Sequence, residues 1–253
     1  MHSPLLNWLL AKLPDSDYER LAPHLELVGL AAGKELFHTG QQHTDIFFPT
    51  TCTVSAQIEL EQGQSTDIYL LGDRGLFGTG TTHRGTFFKA IVRKPGFAYR
   101  CASEVYMREL MRGEGVMMIS LLATRIMMEE MATNISCRTF HSVGQQVARW
   151  LITYGQGEAM EIIAITHSEL ANALGVRREA VTLALNDAER QGCVSLNRGH
   201  IKVLDYAALK KLACNCTTEP TLNKDWSEKE LEGLGNLPAV IERIAAQARL
   251  NSR

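Results

Sequence analysis

The stretch from Ile165 to Gly192 constrains the fold most, because it holds two short amphipathic segments separated by a glycine. The first segment opens with Thr166 and Glu169, a spacing in which the hydroxyl and the carboxylate each satisfy a backbone N–H at a helix start. Gly175 permits the left-handed backbone that ends a helix and turns the chain. The stretch therefore predicts a helix, a tight turn and a second helix.

The second helix is predicted to bury one face and to expose the other. Its inward face has apolar residues at i, i+3, i+4 and i+7, namely Val181, Ala184, Leu185 and Ala188. Its outward face consists of Arg178, Glu179, Thr182, Leu183 and Asn186. Since charged outward faces are usually only solvated, the helix pair alone leaves ordinary core packing open beside a role in reading DNA.

The residues after Gly192 favour the second interpretation. Two alternating runs flank Asn197, Arg198 and Gly199, a turn chemistry that predicts a β-hairpin, and Arg198, His200 and Lys202 cluster near its tip. Together, the helical hairpin offers a helix that can enter the major groove of DNA, and the cationic β-ribbon offers contacts to the adjacent phosphates. Residues 138–213 carry nine Lys and Arg against seven Asp and Glu, whereas the whole chain has a net charge of -2.

The upstream half has a different pattern. Residues 25–110 are predicted to be all β, because alternating runs on either side of Gly63 and frequent glycines suit the short strands of a barrel or jelly roll. A helix without proline follows. This helix has two apolar stripes. The first stripe is predicted to pair with the same helix of a second copy and consists of Met117, Leu121, Thr124, Met128, Met131 and Ile135. The second stripe consists of Ile119, Leu122 and Ile126.

These parts predict an α+β chain. We expect a β jelly-roll sensor domain over residues 1–111, a dimerisation helix over 112–138, a winged helix-turn-helix domain over 139–216 and a helical extension over 217–253. The order of the parts resembles the CRP/FNR family of bacterial transcription regulators over roughly Pro14 to Leu212. The most specific matches are Ile165, Thr166, Glu169, Gly175, Arg178, Glu179 and Val181.

The resemblance implies a homodimer that binds double-stranded DNA and has RNA polymerase as a further partner. By this resemblance, Arg178 donates to O6 and N7 of a guanine, and Glu179 accepts from a cytosine amino group. Leu183 replaces an arginine, which leaves only an apolar contact with a thymine methyl, and Arg177 suits a phosphate. The expected DNA contacts are Arg177, Arg178, Glu179, Thr182, Leu183, Asn186, Thr166, Arg198, His200 and Lys202.

The sensor half departs from the cyclic-nucleotide-binding members of the family. Their loop carries a Glu for the ribose and an Arg for the cyclic phosphate, and the similar residues here are Phe77, Gly78, Thr79, Phe88, Lys89 and Ala90. Loss of both polar anchors predicts that cyclic AMP does not bind in the usual pose. The effector stays unknown, with another anion held by Lys89, Arg84, His83 or Arg93 as an open alternative.

No cofactor is predicted from the six cysteines. They contain no paired CxxC, and Cys214 and Cys216 are closer than the usual zinc loop, so buried inert thiols are expected and no metal ligand set is assigned. Iron, haem or zinc held by cysteine and histidine remains an alternative, since Cys137 lies near a domain junction. Haem through His24, His38, His43 or Cys52 also stays open, while the family's iron-sulfur cysteines have no equivalent in residues 1–30.

Other classes of protein are less favoured. The apolar run near the N-terminus is too short for a membrane span and has no cleavage site after it, which predicts a cytoplasmic protein. No Ser/His/Asp or paired-carboxylate pattern indicates an enzyme. A sensor that acts through a protein partner and an enzyme built on a jelly roll remain the rival interpretations.

Overall fold

The computed structural model describes residues 2–61, 63–79, 85–155 and 162–217. These residues form two apolar cores, one within the β domain and one within the helix-turn-helix domain, and a long helix leads from the first to the second. The predicted α+β class is confirmed. Residues 218–253 of the predicted helical extension lie outside the described residues.

Two antiparallel sheets make up the first domain, after a short helix, α1 (Asp15–Leu21). The strands are β1 (Glu26–Leu30), β2 (Glu35–Phe37), β3 (Asp45–Pro49), β4 (Thr53–Glu59), β5 (Ser65–Leu71), β6 (Lys89–Lys94) and β7 (Gly96–Ala102). One sheet has the order β1-β7-β3 and the other has the order β2-β6-β4-β5. Both sheets contribute to one core, which is the arrangement of a barrel or sandwich.

The hairpin predicted around Gly63 joins β4 to β5, with Glu59 opposite Ser65. The polar residues Ser55 and Gln57, which alternate with the apolar ones on β4, are nevertheless buried. Strand β4 is paired on both sides, two helices contact the neighbouring strand β5, and the side chains from Thr53 to Gln57 are all buried. The Gln57 amide donates to Asp67 at 3.2 Å, which satisfies part of this buried polar surface.

The prediction of β structure up to residue 110 was wrong at its end, because helix α2 (Ser103–Leu110) follows β7. Tyr106 on this helix is fully buried and forms a 2.6 Å hydrogen bond with Ser120 of helix α3 (Gly115–Phe140). Packing against the long helix thus stabilises a segment whose own sequence pattern is weak.

A short break separates the long helix α3 from the next helix. Phe140 ends α3, His141 is extended, and helix α4 (Val143–Gly155) begins after Ser142. The Ser142 hydroxyl accepts from the Gln145 N–H at 3.3 Å, and the Ser142 N–H donates to the Gln145 side chain at 3.0 Å. This reciprocal pair caps α4 and separates it from α3.

The second domain continues with β8 (Ile162–Ala164), α5 (His167–Leu174), α6 (Arg178–Arg190), β9 (Val194–Asn197), β10 (His200–Val203) and α7 (Tyr206–Leu212). The predicted pair of helices and the predicted hairpin are confirmed. Strand β8 was not predicted; it pairs with β10 and completes a sheet of order β8-β10-β9. Among the described residues, no helix has both the length and the apolar character that crossing a bilayer requires.

Candidate nucleic-acid interface

The start of α5 is fixed by the predicted capping box. The Thr166 hydroxyl accepts from the Glu169 N–H at 3.1 Å, and the Glu169 carboxylate accepts from the Thr166 N–H at 2.7 Å. The same carboxylate accepts from the Thr166 hydroxyl at 2.8 Å. Thr166 is exposed, and its side chain primarily holds the helix start in place.

The turn between α5 and α6 depends on Gly175, whose φ is 68°. Its N–H donates to the Asn172 carbonyl at 3.2 Å, and the Val176 N–H donates to the Ala171 carbonyl at 3.0 Å. These bonds satisfy carbonyl groups in the last turn of α5, and they form because the left-handed residue Gly175 redirects the chain there. The orientation of α6 relative to α5 is therefore set by local backbone geometry.

Helix α6 presents its predicted outer face to solvent. Arg178, Glu179 and Asn186 are exposed, and Leu183 is 70% exposed, while Val181 and Leu185 are fully buried. No part of the described chain covers this face. The geometry leaves room for a major groove, whose width accepts an α-helix.

Thr182 was predicted to contact DNA, but it is half-buried and already has two partners. Its hydroxyl donates to the Arg178 carbonyl at 3.1 Å and lies 3.0 Å from Nδ1 of His167. His167 was not singled out in the sequence, because its contact with a residue of the next helix depends on how the two helices cross. This pair holds the start of α5 against α6.

The hairpin tip carries Arg198 and Gly199 as a two-residue turn, and Gly199 has a φ of 75°. Arg198 and His200 are exposed, with Nδ1 of His200 3.1 Å from the Arg198 carbonyl. Lys202 lies two residues along β10, opposite Ser195, and is half-buried. The predicted cationic tip thus consists of Arg198 and His200, with Lys202 below it.

One open cleft of about 410 Å³ joins these three elements. It is lined by the start of α5 with Thr166, His167 and Ser168, by α6 with Arg178, Asn186 and Glu189, and by the hairpin with Leu196, Asn197, Arg198 and Gly199. A helix start favours anions, because its backbone N–H groups point outward and the helix dipole is positive there. The cleft therefore suits a phosphodiester backbone.

Arg178 and Arg198 have no carboxylate within ion-pair distance in the part of the chain that the structure describes, and the same is true of Arg177. By contrast, Arg190 at the far end of α6 forms a 3.1 Å ion pair with Asp187. Arg177 faces a neighbouring groove between α5 and the β4–β5 hairpin. Guanidinium groups at the cleft are thus available to an external anion.

The opposite face of the helix pair docks on the β domain. The Thr66 hydroxyl of β5 donates to the Ala173 carbonyl of α5 at 3.3 Å. Arg138 near the end of α3 donates to the same carbonyl at 3.2 Å and also to the Asp67 carbonyl. Asn134 donates to the Ile68 carbonyl at 2.8 Å. The β domain therefore contacts α5 and leaves the outer face of α6 uncovered.

The residues proposed for a ligand loop are largely part of the core. Phe77 and Phe88 are buried, and the ring centroid of each lies 5.8 Å from that of Tyr69. Ala90 is fully buried, Thr79 is half-buried, and Gly78 has a φ of 104°. A β-carbon on Gly78 would lie 2.5 Å from the Asp45 carbonyl oxygen, so the close approach of two backbone segments requires glycine.

The cations near this loop have acidic neighbours. Nζ of Lys89 is 3.3 Å from the Glu59 carboxylate and 3.5 Å from that of Glu35. Arg93 forms a 2.7 Å ion pair with Asp67, and both side chains are largely buried. His83 and Arg84, the other cations considered for an anion, lie outside the described residues.

Helix α3 carries the two predicted stripes on different faces. Ile119, Leu122 and Ile126 are buried against the β domain. The other stripe lies toward solvent: Leu121, Thr124, Met128 and Ile135 are exposed, and Met117 and Met131 are half-buried. Met128 is 61% exposed and Ile135 is 67% exposed, so an apolar surface continues along the helix.

Three cysteines are inert by their surroundings. Cys52, Cys101 and Cys193 are buried. Burial raises the pKa of the Cys52 and Cys101 thiols to about 11, and it also raises the pKa of Cys193. These thiols stay protonated at neutral pH, which suits apolar packing.

Comparison with known proteins gives the same assignment for the second domain. Residues 145–212 match the model of the Crp-like helix-turn-helix domain. Transcriptional regulator SdrP of Thermus thermophilus is 39% identical over 56 residues, which are 22% of this chain and 28% of that protein. The second domain is therefore a Crp-like helix-turn-helix domain.

Solved structures extend the likeness to the whole fold. A crp/fnr-family protein from Eubacterium rectale has a TM-score of 0.64 at 20% identity, over 81% of this chain and 96% of that one. FixK2 from Bradyrhizobium japonicum has a TM-score of 0.62 at 13% identity, over 75% of this chain and 98% of that one. A CRP/FNR-family regulator from Thermus thermophilus has a TM-score of 0.52 at 19% identity, over 77% of this chain and 100% of that one.

Proposed function

We propose that this chain is a homodimeric, sequence-specific DNA-binding transcription regulator of the CRP/FNR family without catalytic activity, with RNA polymerase as a further partner. The observation that carries the proposal is the uncovered outer face of α6, flanked by the hairpin and by the start of α5 in one cleft. In this arrangement α6 can enter the major groove while the hairpin contacts the adjacent phosphates.

The residues of the interface have distinct roles in the proposal. Arg178 reads a guanine through two hydrogen bonds, Glu179 accepts from a cytosine, and Leu183 contacts a thymine methyl. Arg198 at the hairpin tip neutralises phosphate, and so does Arg177 at the start of α6. Glu179 next to Arg178 favours a specific base pattern over arbitrary polyanions, since a carboxylate near DNA is repelled unless a base amino group donates to it.

The exposed apolar stripe of α3 supports a second copy as partner. Two copies of this stripe, packed along a two-fold axis, would cover the apolar surface that includes Leu121, Met128 and Ile135. A two-fold dimer also presents two α6 helices to one side of a duplex. The proposal therefore includes a palindromic site with half-sites about one helical turn apart.

Selection of bound sequences from random duplex tests the function. We expect enrichment of a two-fold symmetric motif with half-sites roughly 10 bp apart, and an affinity that falls as salt increases because phosphate contacts release counterions. A dimer with no enriched motif and no salt-dependent affinity would overturn the proposal and would favour a sensor that acts through a protein partner.

Cyclic AMP is expected not to bind at micromolar concentration. The position that resembles the phosphate-binding arginine is Phe88, which lies in an aromatic cluster, and the ammonium group of the adjacent Lys89 lies near two carboxylates. A buried phosphate would therefore lack its charge-assisted partner. Isothermal titration of the full chain with cyclic AMP measures this directly, and micromolar binding would contradict the assignment of the loop.

A further inference from the structure

Three thiols and one imidazole meet where the long helix joins the DNA-binding domain. The residues are Cys137, His141, Cys214 and Cys216, and their potential ligand atoms all lie within 4.8 Å of one another. The Cys137 and Cys214 sulfur atoms are 3.5 Å apart, and the Cys216 sulfur is 3.6 Å from Nδ1 of His141. No local spacing in the sequence marks these four residues as a ligand set, and only the fold brings them together.

Two distant parts of the chain supply the set. Cys137 lies in the last turn of α3, and the His141 N–H donates to the Cys137 carbonyl at 3.0 Å, which keeps His141 close to the end of the helix. Cys214 and Cys216 follow α7, in and beside the 3-10 turn Asn215–Thr217. Packing of the chain after α7 against α4 brings the two halves together.

We propose that these four residues bind one zinc ion with tetrahedral geometry. Three thiolates and one imidazole are a usual ligand set of structural zinc sites. With bonds of about 2.3 Å to sulfur and about 2.0–2.1 Å to nitrogen, a tetrahedral site separates its ligand atoms by roughly 3.5–3.8 Å. The two closest separations given above have this size.

A single ion accounts for the arrangement better than other thiol chemistry does. A disulfide needs a sulfur separation of about 2.05 Å and uses only two of the four residues. An iron-sulfur cluster distributes its thiolates over several iron atoms and so needs ligand atoms further apart than this group allows. Cys137 and Cys214 are buried, whereas His141 and Cys216 are half-buried, which leaves an approach for the ion from one side.

The position of the site gives it a mechanical role. His141 and Ser142 are the only residues between α3 and α4, so the relative orientation of the two helices depends on this short connection. An ion bound both to the end of α3 and to the segment after α7 would link the DNA-binding domain to the long helix and restrain the connection between α3 and α4. An effect on operator binding rests on the proposed function, whereas the presence of the metal does not.

The test is the metal content of the purified full-length chain. We expect about one zinc per chain, and we expect the Co²⁺-substituted chain to have thiolate-to-metal charge-transfer and tetrahedral d–d absorption bands. Cys216→Ser and His141→Ala should lose most of the bound metal and these bands. Cys193→Ser removes a buried thiol outside the site, and we expect it to retain both.

Several results would overturn the proposal. These are a wild-type chain that binds neither Zn²⁺ nor Co²⁺, a disulfide between Cys137 and Cys214, iron with acid-labile sulfide, or equal metal loss in Cys193→Ser and Cys216→Ser. Circular dichroism of each variant separates metal loss from unfolding. Because metal content and Co²⁺ spectra need no DNA, a failed zinc site and a failed regulator function remain distinguishable.

Discussion

Replacement of Met128 by glutamate is expected to dissociate the proposed dimer. Met128 lies in the middle of the exposed stripe of α3, and its two copies would meet near the two-fold axis. Each glutamate would be desolvated beside apolar side chains and beside the other, at a cost of several kcal/mol per buried ion. We therefore expect the dissociation constant of the dimer to rise at least about 100-fold, as measured by sedimentation velocity.

Ser136→Glu is the matched control, since Ser136 is exposed on the same helix but lies off the apolar stripe. This variant should remain dimeric. In the Met128→Glu variant, the affinity for a palindromic duplex should fall toward that for a single half-site, because the two half-sites are no longer linked. A Met128→Glu chain that stays dimeric at the wild-type affinity would assign the interface to another surface.

Replacement of Arg178 by alanine is expected to reduce discrimination between specific and random duplex. Its guanidinium is exposed at the start of α6 and has no carboxylate partner among the described residues, so it is available for a guanine. Loss of a bidentate base contact costs roughly 1–3 kcal/mol per half-site, which is a factor of roughly 5–150. Competition binding at constant salt, with selected and scrambled duplexes, measures the ratio.

Two other arginines provide the comparison. Arg190→Ala changes the same residue type on the same helix, but this side chain forms an ion pair with Asp187, and we expect little change in binding. Arg198→Ala should weaken binding to specific and random duplex alike and reduce the salt dependence, as a phosphate contact does. If Arg178→Ala had the same uniform effect, Arg178 would be a phosphate contact and not a base reader.

Much of the DNA-binding domain was predictable because the sequence patterns that define its helices and its hairpin are local. The capping pair Thr166 and Glu169 fixes a helix start, Gly175 ends that helix, and Arg198 and Gly199 close a hairpin. Each of these involves residues within a few positions of one another. Backbone hydrogen bonding at this range depends little on the rest of the fold.

The errors have a common cause. Helix α2 and strand β8 each gain their stability from partners elsewhere in the chain, α3 in one case and β10 in the other. Likewise, Ser55 and Gln57 are buried on a strand that lies between β5 and β6, and the neighbouring β5 packs against α3 and α5. Short segments with weak patterns take the structure that their tertiary neighbours stabilise, so sequence periodicity alone misassigns them.

The sequence by itself determined the order of the domains, the helix-turn-helix with its hairpin, and which face of α6 points outward, since periodicity and capping are properties of neighbouring residues. Only the tertiary structure decided that Thr182 bonds His167, that Lys89 lies between two carboxylates, and that Cys137 meets Cys214. Cys137 and Cys214 are 77 residues apart. Side chains that far apart meet only after the cores have packed, and no local rule encodes their distance.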